Sequence, residues 1–175
     1  MEDTSSKFNP AVLPVEFMKS FEHENSAGSR HFLYPGQVFV SRDPITISTI
    51  LGSCAAICLW DRHKRVGGMN HYLLPAGDLQ GTNRLRYGNN ANPELLRQVM
   101  ALGCEKRNLQ AKIFGGSSAF AVDQAQSVGS RNVELAESFL RSEGIPVLEK
   151  EVSGKHGRRL VFQLSDGITT IKNFD

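Results

Sequence analysis

Ile45-Thr46-Ile47-Ser48-Thr49-Ile50-Leu51-Gly52-Ser53-Cys54-Ala55-Ala56-Ile57-Cys58-Leu59-Trp60 is the stretch that decides the fold. Its first seven residues are rich in β-branched side chains, which fit a pleated surface and predict a strand. Gly52-Ser53 breaks that run. Cys54 to Trp60 is apolar at almost every position, as a central strand covered on both faces requires. Asp61-Arg62-His63-Lys64 reads as a polar turn, and Arg65 to Leu74 as the next strand, stopped by Pro75. Upstream, Gln37 to Val40 predicts a further strand ended by Asp43-Pro44.

The turn after Trp60 is short, so the strands on either side of it pair as an antiparallel hairpin. With the turn centred between Arg62 and His63, Cys54 faces His71 directly, their β-carbons about 4.5–5.5 Å apart. A free thiol, with a pKa of about 8.5, is a poor nucleophile at neutral pH. An imidazole beside it takes the proton and can later return it to a leaving amine. Gly52 and Ser53 allow a tight bend whose N–H groups face an oxyanion.

The bland alternative is that a cysteine in an apolar strand is core filling. Cys58 and Cys104 read that way, and for Cys54 the two readings balance on these residues alone. A zinc site built from Cys54, Cys58 and His71 is opposed by the strand reading. Four strand steps separate the cysteine α-carbons by about 13 Å, too far for one ion with ligands about 2.3 Å away. No cofactor or metal is therefore expected. His23, His31, His63 and His156 read as solvated.

Further along, Gly77 to Asn90 predicts a surface loop, with Arg84 and Arg86 as a candidate docking surface for an acidic helical partner. Asn92-Pro93 predicts the cap and first turn of a helix running to about Arg107. Ala111 to Phe114 predicts a strand leading into the turn Gly115-Gly116-Ser117-Ser118. Ser130 predicts the cap of a second helix ending at Gly144. Val147–Val152 and Arg158–Leu164 flank a glycine-bearing loop and predict a hairpin. Asp166-Gly167 then turns into a last strand, Ile168 to Lys172. Strands predominate with two main helices, an α/β sandwich on a largely antiparallel or mixed sheet. Residues 1–30 read as a mobile or loosely docked lead-in, in which Ala11 to Met18 is a short docking segment. Residues 31–175 read as a single domain.

The chain of 175 residues is near charge balance at +2. Its basic pairs, Lys64-Arg65, Lys106-Arg107 and Arg158-Arg159, are short and read as solvated turns or helix ends. No concentrated basic face invites nucleic acid. Three cysteines, no signal peptide and no membrane-length apolar run imply a reducing, cytoplasmic setting without membrane insertion.

Thr49-Ile50-Leu51-Gly52-Ser53-Cys54 followed by Gly67-Gly68-Met69-Asn70-His71-Tyr72-Leu73-Leu74-Pro75 resembles the CheD family of chemoreceptor glutamine deamidases. So do Lys112-Ile113-Phe114-Gly115-Gly116, Arg131-Asn132-Val133 and Gly144-Ile145-Pro146-Val147. The resemblance runs from about His31 to Leu164. It implies a three-layer α/β sandwich, shared with a bacterial deamidating toxin domain. It also implies hydrolysis of selected glutamines on methyl-accepting chemotaxis receptors to glutamate and ammonia, with Cys54 and His71 as catalytic residues. The expected route is a thioester between the Cys54 sulfur and the glutamine acyl carbon. An upstream hydroxyl completes the family's triad. Gapless counting places it on Ser48, with strand parity in agreement, whereas many relatives carry a threonine where Thr49 stands. Some family members bind a CheC-type phosphatase, a partner the resemblance allows here. Two rival readings remain: a receptor methylesterase sharing the first half-reaction, and a regulatory module that only captures such a phosphatase.

Overall fold

A computed structural model of the chain describes residues 28–77, 80–119 and 121–174. The elements run β1 (Arg30–Phe32), β2 (Gln37–Ser41), β3 (Thr46–Leu51), β4 (Ala55–Asp61), β5 (Val66–His71), α1 (Gly88–Ala101), β6 (Leu109–Gly115), α2 (Val128–Ser142), β7 (Val147–Val152), β8 (Gly157–Gln163) and β9 (Thr169–Phe174). The strands form two sheets, one ordered β1-β3-β8-β9 and the other β2-β5-β4-β6-β7. β1 beside β3 and β7 beside β6 are parallel, and the other neighbours are antiparallel.

Side-chain alternation along the strands creates three layers. Ala56, Cys58, Met69 and Phe114 from one sheet meet Ile47, Leu51, Leu160 and Phe162 from the other. The opposite face of the five-stranded sheet presents Ile57, Leu59, Ala111 and Ile113 to Leu95, Val99, Ala136 and Leu140 of the two helices. β4 is thus covered on both sides, which is why its apolar pattern is continuous rather than alternating. The α/β sandwich with two main helices is the architecture found. Among the described residues no helix is long and apolar enough to cross a membrane.

Several local expectations are corrected. β7 and β8 are not a hairpin. β7 pairs with β6 in one sheet and β8 with β3 in the other. Ser153 (φ 65°) and Gly154 (φ 77°) turn the chain across the sandwich between them. Arg158 is not solvated: its buried guanidinium donates to the carbonyls of Gly115 and Ser153. α1 starts at Gly88, so Pro93 lies inside it and Asn92, instead of capping, accepts from Asn70 Nδ2 at 2.8 Å. It ends at Ala101, where Gly103 (φ 91°) leaves the helix, and Lys106–Asn108 is a separate 3-10 turn. The cap of α2 is Ser127, whose hydroxyl accepts from Ser130 N–H at 3.0 Å. His31 is in β1 and stacks on Phe39 with ring centroids 3.8 Å apart, and burial lowers its pKa. The docking segment expected at Ala11 to Met18 lies outside the described residues.

The β4–β5 hairpin is present in a different register. Asp61 pairs with Val66, and the loop holds four residues, 62–65. Buried Asp61 explains the length: its Oδ1 accepts from the N–H groups of His63 and Lys64, and Arg65 takes a left-handed φ of 55° to close the loop. Opposed residues are therefore Cys58 and Met69, and Ala55 and Tyr72. Cys54 and His71 are diagonal neighbours, not directly opposed.

Candidate active site

The two-residue shift in register preserves the face. His71, at the end of β5, points between the sheets and reaches Thr49 of β3. Cys54 packs in the same inter-sheet cluster, with Leu33, Leu51 and Ala56. Diagonal positions on an antiparallel pair lie about 7–8 Å apart between backbones, within reach of a thiol and an imidazole.

The hydrogen bonds assign the histidine's tautomer. Thr49 Oγ1 lies 2.6 Å from the Leu33 carbonyl, which only accepts, and 2.8 Å from His71 Nδ1. The single hydroxyl proton goes to Leu33, so Nδ1 must donate to the hydroxyl. Neutral His71 is then protonated on Nδ1 and carries a lone pair on Nε2. That nitrogen is buried and has no hydrogen-bond partner among the described residues. Catalytic hydrogen bonds are often unmade before substrate binds.

Ser48 sits on the opposite face of β3, and the parity that favoured it fails for a physical reason. The chain leaves the four-stranded sheet at Leu51 and enters the five-stranded one at Ala55. Alternation does not survive that crossing. Within β3 the odd positions Ile47, Thr49 and Leu51 are fully buried, while Ser48 is partly exposed.

The crossing segment has its carbonyls held one by one. Gly52 O accepts from Ser117 N–H at 2.9 Å and Cys54 O from Gly116 N–H at 2.7 Å. Ser53 O accepts from Asn132 Nδ2 at 2.9 Å. Gly115 and Gly116 adopt φ of 102° and 67°, and a β-carbon on Gly115 would lie 2.2 Å from Cys54 O. The expected turn at 115–118 thus lies against the cysteine segment. The backbone N–H groups of Gly52 and Cys54 favour the thiolate form of Cys54.

Burial dominates the electrostatics. It pushes the Cys54 thiol up to about 11, with the two N–H groups pulling the other way. It lowers His71 to about 4, with the Leu33 carbonyl offsetting part of the shift. Both groups rest neutral, the Cys54 thiol and the His71 imidazole. The sign for activity follows. Lowering the histidine's pKa keeps Nε2 unprotonated down to about pH 4, so a base role for His71 would be lost only below that. Between about pH 5 and 8, kcat/KM should change by less than about twofold. An inflection near 6.5 in a pH–rate profile would contradict this.

Sequence reading missed three supports. Leu33 supplies the carbonyl that orients Thr49. Asn70 Oδ1 accepts from Ile57 N–H at 2.8 Å, replacing a ladder bond beside His71. Asn132 binds the cysteine segment from α2. Only the motif membership of Asn70 and Asn132 had marked them. Arg84 and Arg86 form a 3-10 turn rather than a plain loop, and Arg86 O accepts from the N–H groups of Leu73 and Leu74, just past His71. Arg84 lies 3.5 Å from Glu94, whose carboxyl is held down chiefly by Arg97.

A family model described as CheD, chemotactic sensory transduction, matches residues 73–173, beginning just after His71. Curated relatives extend the match over both site residues' region. A protein of Trichlorobacter lovleyi, named as a probable chemoreceptor glutamine deamidase CheD, is 37% identical over 86% of this chain and 94% of its own length. One from Anaeromyxobacter dehalogenans with the same name, numbered 1, is 42% identical over 81% of this chain and 82% of its own. A likewise named protein of Rhodospirillum rubrum is 40% identical over 81% of this chain and 80% of its own. Among solved structures, a Neisseria meningitidis protein shows only a loose likeness, with 12% identity and a TM-score of 0.47 over 81% of this chain and 69% of that one.

Proposed function

This chain belongs to the CheD family of chemotactic sensory transduction, and from that we propose that it deamidates glutamines on chemoreceptors. The observation that carries the chemistry is the Nε2 of His71, which has no hydrogen-bond partner among the described residues and whose other nitrogen is fixed by Thr49, on the face that holds Cys54.

In the proposed mechanism the Cys54 sulfur attacks the glutamine side-chain carbonyl carbon and passes its proton to His71 Nε2. The oxyanion is met by N–H groups of the Gly52-Ser53-Cys54 segment. The carbon–nitrogen bond then breaks, and imidazolium returns the proton to the departing amine, giving ammonia and a thioester. A water that loses its proton to Nε2 attacks the thioester. The carbon–sulfur bond breaks, the thiol is restored and a glutamate remains. The Nδ1–H bond to Thr49 steadies the ring through both proton transfers.

The substrate projects from a helical surface, so its docking face lies around the mouth of the site. The Leu73–Leu74 segment and the Arg84–Arg86 turn bonded to it flank His71, with Leu74 exposed. That edge is the proposed seat for the receptor helix.

The test is direct. The cytoplasmic fragment of a methyl-accepting receptor is incubated with the protein, digested and read by mass spectrometry. Specific glutamine peptides should acquire the mass of glutamate as ammonia appears in step. A receptor fragment left unchanged under conditions where a related deamidase converts it would overturn the assignment.

A further inference from the structure

We propose that Asn132 is a positioning residue for the reaction, aiming the Cys54 N–H at the reacting centre and setting the spacing between the nucleophile and base segments. The inference rests on the deamidase reading for its catalytic readout, but the geometry stands by itself. Asn132 is fully buried on α2 and its Nδ2 donates twice, to Ser53 O and to Leu73 O, each at 2.9 Å. Ser53 immediately precedes the nucleophile, and Leu73 follows His71 by two residues. One planar amide therefore clamps the entry to β4 and the exit from β5.

The clamp has a directional consequence. A trans peptide is planar, with its C=O and N–H pointing opposite ways. Drawing Ser53 O toward α2 sends the Cys54 N–H away from the helix, and that N–H is one of the two backbone groups that favour the Cys54 thiolate. The neighbouring carbonyls, Gly52 O and Cys54 O, are held by backbone N–H groups of Ser117 and Gly116. Only the middle one depends on a side chain. α2 is itself tied at this residue to the segment just past β5, because the Tyr72 hydroxyl donates to Asn132 O at 2.5 Å.

The side chain's own acceptor identifies what the residue is for. Asn132 Oδ1 is buried without a hydrogen-bond partner among the described residues. A buried amide that leaves its oxygen unpaired while both N–H bonds are used is held for donation. Leucine would fill the same volume without an orphan, but it cannot donate.

Three variants separate positioning from mere packing. Asn132→Leu keeps the volume and loses both donors. It should lower kcat for receptor deamidation roughly 30-fold with KM within about threefold, since the loss is of transition-state aim. Alkylation of Cys54 by iodoacetamide, which needs no receptor, should slow in the same variant. Faster alkylation would mean that the segment had merely loosened, and would overturn the proposal. Asn132→Asp is near-isosteric and donates only when protonated. Its activity relative to wild type in the same buffers should therefore fall as pH rises, and a constant ratio would count against the clamp. Tyr72→Phe removes the helix tie without touching the amide and should keep kcat within about threefold. If wild-type protein alkylates normally yet never converts receptor, the deamidase reading fails while the alkylation comparison still decides the role of Asn132.

Discussion

Cys54→Ala should lower receptor deamidation by about 10⁴-fold or more, with the fold unchanged. The sulfur forms the covalent bond of the proposed route, and nothing else on the described inter-sheet face replaces it. Cys58 lies further on, within β4, opposite Met69 and Lys112, where burial raises its thiol pKa even more strongly than that of Cys54. The substitution is mild structurally. Cys54 is packed among Leu33, Leu51 and Ala56, and trading its thiol for a methyl leaves a small cavity costing about 1 kcal/mol. Cys58→Ala is the matched control: a similar loss of stability, with kcat/KM within about threefold. Rates come from mass spectrometry of the receptor fragment and stability from thermal unfolding. A Cys54→Ala protein retaining a tenth of wild-type activity would sink the nucleophile assignment, because an amide bond does not yield to the remaining groups at such a rate.

The layers of the fold were legible because strand burial writes itself into composition. A two-face-buried strand such as β4 has no polar side to display, and β3 carries β-branched residues at four of its six positions. Partnership between distant strands was not legible. β7 and β8 adjoin in sequence with a glycine-bearing loop between them, the local mark of a hairpin. Whether that loop closes a hairpin or crosses to another sheet depends on Gly115 O receiving Ser153 N–H, and on Arg158 filling the crossing. Neither partner is local. The hairpin register failed for a similar reason: Asp61 looks like a solvated turn residue but folds inward to satisfy two N–H groups, lengthening the loop by two residues.

The site was half legible on the same grounds. Cys54 and His71 share a face under any even shift of register, so their placement on one face survived a wrong centre. The supporting carbonyl of Leu33 and the amide of Asn132 come from segments that no pairing rule connects to the cysteine. The choice between Ser48 and Thr49 turned on where alternation stops. Parity counting assumes one continuous pleat, and the Gly52-Ser53 crossing between sheets breaks it.

That choice yields the second large effect. Thr49→Val is isosteric and keeps β3 intact, but it removes the group that receives Nδ1–H and donates to Leu33 O. Without it, neutral His71 is free to place its proton on Nε2, where it blocks attack by the thiol. Misplacing the tautomer by removing a carboxylate partner costs about 10⁴-fold in a serine protease triad. A neutral hydroxyl binds imidazolium less strongly than a carboxylate does, so the expected loss is smaller, about 10²-fold to 10³-fold in kcat/KM. Thr49→Ser retains the hydroxyl and should stay within about tenfold, while Ser48→Ala, on the far face of β3, should stay within about threefold. The discriminating measurement is spectroscopic. Nitrogen chemical shifts of His71 in labelled protein should show Nε2 as the unprotonated nitrogen in wild type and a mixed population in Thr49→Val. If Ser48→Ala proved the more damaging substitution, or if the Thr49→Val ring kept its wild-type shifts while activity fell, the hydroxyl would act by some route other than fixing the tautomer. The base assignment for His71 would then need another orienting group.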